Sequence, residues 1–136
     1  MKIKVGDSEF EATFNAFTPI AFSRCFNVVK PNGTTRPKDI NEDTGAILEN
    51  LDKFGFPPIV PLLEIFYACI KTAAPKFDEK FDDWVSSFPV DEFDLERRDG
   101  WATDVMQIVM DNFFPRAKQD AVGAAQAEKA ASAASE

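Results

Sequence analysis

The chain has 136 residues and a net charge of −8, from 15 lysines and arginines against 23 aspartates and glutamates, and it contains no histidine. That charge repels a polyanionic phosphate backbone, so nucleic acid and anionic membrane surfaces are poor partners, while basic or hydrophobic proteins are good ones. Without histidine, Ser-His-Asp and Cys-His catalysis are excluded and the commonest metal ligand is missing.

Hydrophobic residues make up 45% and charged residues 28%, values of an ordinary globular domain with one core. Phenylalanine is the outlier, with 14 copies. The rings either fill the core or stay partly exposed until a partner covers them. Cys25 and Cys69 match no ligand spacing and read as small hydrophobes of a reducing compartment. Met1–Val5 has no apolar signal core, and Ile59 to Ile70 is too short for a membrane helix, so a cytoplasmic protein is expected.

In chain order, residues 2–14 predict a β-hairpin. Ile3 and Val5 alternate with lysines, Gly6-Asp7-Ser8 supplies the turn, and Phe10, Ala12 and Phe14 alternate with polar residues on the return. Thr18-Pro19 starts a helix, with the Thr18 hydroxyl as N-cap, over about 18–27. Lys30 to Lys38 reads as a turn-rich loop. A helix follows over 39–54, carrying Ile40, Ile47, Leu48 and Leu51 at helical spacing, with Gly55 as C-terminal cap.

Pro57, Pro58 and Pro61 precede the most apolar helix, 59–73, in which only Glu64 and Lys71 are charged; it is the expected central helix. Residues 78–88 predict an amphipathic helix with Phe77, Phe81, Trp84, Val85 and Phe88 on one stripe. Its acids Asp78, Glu79, Asp82 and Asp83 fall on the opposite, solvated phase. Asp91 to Arg98 predicts one or two short turns.

The last helix, 101–114, carries two oily stripes. Trp101, Val105, Ile108 and Val109 form one; Met106, Met110, Phe113 and Phe114 form the other. The second either packs on the central helix or serves as a partner-binding face, since methionine mixed with phenylalanine adapts to different partner shapes. These four are the candidate partner-binding residues. From Ala117 onward the composition is too poor in large apolar residues to order itself. The expected fold is therefore α+β, mostly α: an N-terminal hairpin on about four to five helices in a single domain, 1–116, with an Ala-rich flexible tail, 117–136.

No nucleotide-binding glycine motif and no calcium-loop spacing occurs, so no enzyme, cofactor, catalytic residue or metal site is expected. The order of pieces is more specific. A hairpin leads into Ala16-Phe17-Thr18-Pro19-Ile20-Ala21-Phe22-Ser23-Arg24-Cys25-Phe26; later come Ile65-Phe66-Tyr67-Ala68-Cys69-Ile70-Lys71-Thr72-Ala73 and Phe81-Asp82-Asp83-Trp84-Val85. Over roughly residues 9 to 88 this resembles the phage tail assembly chaperones of long-tailed phages and prophages of Gram-positive bacteria. The chain departs from that pattern at Val28 to Pro37, which is longer and richer in proline than the short turn of relatives.

The resemblance implies a partner, the tape measure protein, whose helical segments are kept soluble during tail assembly. It further implies contact with the tail-tube protein and with a frameshifted longer form of the chain, location in the host cytoplasm, and absence from the finished virion. Other readings are a small structural phage protein (a head–tail connector or tail terminator), an acidic inhibitor of a host protein, and a hydrolase working with carboxylates alone.

Overall fold

The computed structural model describes residues 1–94 and 100–114. The expected tail, 117–136, and the second half of the turns expected over Asp91 to Arg98 lie outside these residues. The fold is α+β and mostly α, with an N-terminal antiparallel hairpin and five α-helices.

Period-two alternation produces β1 (Lys2–Val5) and β2 (Ser8–Glu11), paired with Ile3 opposite Phe10 and Val5 opposite Ser8. Ile3, Val5 and Ala12 are buried and the lysines exposed, as the pattern predicts. Gly6 turns the hairpin at φ +60°, and a Cβ there would stand 3.0 Å from Pro89 Cγ, so the turn is tucked against a later segment.

Helix α1 (Thr18–Cys25) begins as expected at Thr-Pro, but Phe17 is its N-cap and no side chain caps it. Asn15 Oδ1 accepts from the Phe17 N–H at 2.8 Å in the turn that leads in. The Thr18 hydroxyl instead accepts from Asn15 N–H and meets Thr72 Oγ1 at 2.9 Å, fastening the helix start to the far end of the central helix. The helix stops at Cys25 rather than near 27, because Asn27–Val29 forms β3 and pairs with β4 (Thr35–Pro37). The expected loop at 30–38 is therefore largely a second hairpin, turned at Gly33 with φ +85°.

Helix α2 (Ile40–Phe54) is bounded by local chemistry. Asp39 and Glu42 form a reciprocal capping box, and Gly55 closes the helix at φ +77°. A Cβ on Gly55 would meet nothing within 4 Å, so Gly55→Ala isolates the backbone penalty. It is expected to lower unfolding free energy by about 1 kcal/mol in a urea titration, from left-handed strain alone.

Helix α3 (Ile59–Ala73) is central: every residue from Leu62 to Ile70 is buried. It packs against α1, α2, β2, α4 (Phe81–Ser86) and α5 (Trp101–Phe113). The α4 helix starts three residues later than predicted. Tyr67 Oη donates to the Glu79 carbonyl at 2.8 Å and Lys71 Nζ donates to the Phe77 carbonyl, so α3 side chains hold 77–80 out of helix. Trp84 and Phe88 are nonetheless buried on the expected stripe, and the four acids of that segment are exposed. A 3-10 turn, Val90–Phe93, precedes α5.

Candidate partner-binding surface

Periodicity of 3.6 sends Trp101, Val105, Ile108 and Val109 of α5 into the core. The Trp101 indole stacks on Phe66 at 5.9 Å and donates through Nε1 to the Glu92 carbonyl at 2.7 Å. The second stripe is neither sealed nor free: Met106, Met110, Phe113 and Phe114 are all half-buried. Met106, Phe113 and Phe114 rest against the core cluster. The structure also divides them. Phe113 sits edge-on to Phe14 at 5.0 Å, where the first hairpin exits, whereas Met106 lines a shallow cleft of about 160 Å³ with Pro57, Ala102 and Thr103.

Near Pro57 in the chain stand two rings that the sequence did not single out. Phe54 and Phe56 flank Gly55 at the corner between α2 and α3, stacked at 6.0 Å and 62% and 51% exposed. Val60, at the start of α3, is 58% exposed, and Leu48, one of the apolar residues at helical spacing in α2, is 45% exposed. The remaining phenylalanines apart from Phe17 join the core. Most of the rings thus fill the core, while Phe17, Phe54 and Phe56 are exposed. A signal was present in Phe54-Gly55-Phe56-Pro57-Pro58: two rings beside a helix-ending glycine and a proline link sit where the chain turns outward.

A second apolar face runs along α1. Phe17 and Ile20 are exposed there, and the Arg24 guanidinium lies over the Phe17 ring at 5.5 Å. Two clefts flank this ridge. One, of about 560 Å³, is walled by Pro19, Ile20, Ser23, Arg24 and the paired ends of the second hairpin, Asn27 and Pro37. The other, of about 250 Å³, lies between α1 and the end of α3, with Lys71 and Pro75 on its far side.

Buried charge is concentrated at one junction. Lys38 leaves β4 and bonds Asp43 of α2 at 2.7 Å and Glu64 of α3 at 2.9 Å. The Ser23 hydroxyl holds the Lys38 carbonyl at 2.8 Å, so α1 joins the same knot. Burial pushes the Asp43 carboxyl up to about 7; the Lys38 ammonium opposes the rise and the Glu64 carboxylate adds to it. Among the described residues Asp43 Oδ2 has no hydrogen-bond donor. With Asp43 1% and Glu64 7% exposed, the pair offers a substrate almost no surface; it clamps four elements.

The cysteines are free, and burial pushes the Cys69 thiol up to about 12, as in a packed, unreactive side chain. Among the described residues no group of three or more His, Cys, Asp or Glu could hold a metal ion, and no helix is long and apolar enough to cross a membrane. Compared with known proteins, the chain matches no family model, no curated protein and no solved structure.

Proposed function

We propose that this chain binds another protein through the apolar α2–α3 corner, and that it does so as a phage tail assembly chaperone holding helical segments of the tape measure protein. The carrying observation is the exposed Phe54–Phe56 stack, with exposed Val60 four residues on and Pro57 between them lining the Met106 cleft, on a chain of net charge −8. Clustered exposed apolar side chains mark interaction sites, while the charge keeps the free protein from associating with itself.

The stretches that carry the family resemblance fall on α1, the second half of α3, and α4, where Phe22, Phe66 and Trp84 are fully buried. They are scaffold, so the likeness concerns the frame and the corner is where a guest docks. An apolar stripe of a guest helix laid over Phe54, Phe56, Val60 and Met106 follows the helix-in-groove mode.

About half of each ring is still in water, so covering Phe54 and Phe56 contributes roughly 1 kcal/mol apiece. Against the cost of association this gives weak, reversible contact. Such contact suits a chaperone displaced by polymerising tube subunits without a nucleotide motor.

Co-expression with the neighbouring tape measure gene should raise the soluble yield of that protein. The paired change Phe54→Asp and Phe56→Asp should remove the gain while shifting stability by no more than about 0.5 kcal/mol, because both side chains are exposed. An unchanged yield with the wild-type chain sinks the proposal. A stable hexameric ring by light scattering would transfer it to a connector or terminator.

A further inference from the structure

We infer that the outer face of α1 is a second docking surface, and that its occupant is an amphipathic helix of a partner protein whose apolar stripe is bordered by aspartate or glutamate. This does not depend on the phage reading; it names the chemistry of a segment, whichever protein carries it. Phe17, Ile20 and Arg24 stand at i, i+3 and i+7, a ridge about 10 Å long on α1. Troughs lie on both sides of it. A guest helix lying alongside the ridge places i, i+3, i+4 and i+7 anchors into those troughs.

The sign of the border follows from charge. The chain as a whole is acidic, yet the charged residues lining the two clefts are Arg24 and Lys71, with no carboxylate among the lining residues. Some cations elsewhere are paired: Arg36 holds Glu42 at 2.6 Å, Lys38 holds two carboxylates, and Lys53 holds Glu49. Arg24 and Lys71 make no ion pair among the described residues. Arg24 lies over Phe17, and Lys71 donates to the Phe77 carbonyl over the Tyr67 and Phe77 rings.

Two cations held over aromatic faces at the mouths of apolar troughs fit carboxylates that flank aliphatic side chains. At physiological salt the Debye length is about 8 Å, so these near charges act on a docked helix while the acids on distant faces are largely screened. Composition alone points to basic partners; at this face the local sign is reversed.

The probe is a labelled synthetic helix of about 18 residues, with leucine at i, i+3, i+4 and i+7 and glutamate on both borders, titrated by fluorescence anisotropy into the full chain at about 0.15 M salt. A lysine-bordered twin is the control. Preference for the glutamate peptide, a loss of about tenfold or more with Arg24→Glu, and a gain of the lysine peptide by that variant are the expected results. Ile20→Asp supplies an independent loss at the same ridge.

Equal binding of the two peptides, or full retention in both variants, overturns the inference. So does loss of the glutamate peptide in the Phe54→Asp, Phe56→Asp variant but not in Arg24→Glu, which would move the site to the corner. Concentration-dependent self-association of the wild-type chain that Arg24→Glu abolishes would assign the face to a second copy instead.

Discussion

Lys38→Met is expected to cost about 3 kcal/mol of unfolding free energy at pH 8, a large share of the stability of a small domain. The substitution keeps the aliphatic stem and removes the ammonium. Asp43 and Glu64 then face each other in a nearly dry junction with no cation between them. The estimate sits at the low end for a broken buried pair because the Lys38 side chain is 22% exposed and admits some water.

The cost should depend on pH in a defined direction. Asp43 titrates near 7 when folded and near 3.8 in the unfolded chain, so between those values the folded state binds more protons. Stability contributed by the protonated carboxyl is complete below about 3.8 and is lost as pH rises through 7. Removing the lysine raises the Asp43 carboxyl further and steepens that fall, so Lys38→Met should be much milder at pH 5 than at pH 8. Urea unfolding at the two values checks this. Equal losses at both, or a loss below about 1 kcal/mol at pH 8, would mean that water already reaches the junction.

Trp84→Ala should cost about 3–5 kcal/mol in the same titration. Trp84 is fully buried, and its ring is met by Phe88 at 4.7 Å, Phe66 at 5.2 Å, Tyr67 at 5.5 Å and Phe10 at 5.8 Å. The first hairpin, α3 and α4 converge on this one indole, and rigid rings around it cannot collapse into the cavity. Among the described residues the Trp84 Nε1 hydrogen has no acceptor. Trp84→Phe removes that unsatisfied donor along with part of the ring, so its cost should be far smaller, about 1 kcal/mol. Comparable losses for alanine and phenylalanine would show that the indole hydrogen finds a partner in solution.

Most of the scaffold was legible because its signals are local. The capping box of Asp39 with Glu42 and the Gly55 cap bound α2 within a residue of expectation, and alternation from Lys2 to Ala12 placed the first hairpin in register. The second hairpin was missed because its three-residue strands are too short for a period to register, and Pro37 argues against a strand. What pairs them is tertiary: the Lys38 N–H reaches the Phe26 carbonyl at 2.9 Å, and the Lys38 side chain is anchored by α2 and α3.

The exposed apolar side chains were half legible. The phenylalanine excess allows both core filling and exposed rings, and the α5 stripe allows both core packing and a partner-binding face. Phe113 and Phe114 instead lean on the core, while Phe54, Phe56 and Val60 stand outside it. Hydrophobicity and period are properties of a segment, and they determine that a helix forms and which side chains share a face. Whether that face is covered depends on which other element arrives there, and in this chain only the packing of α2, α3 and α5 around their common corner decided it.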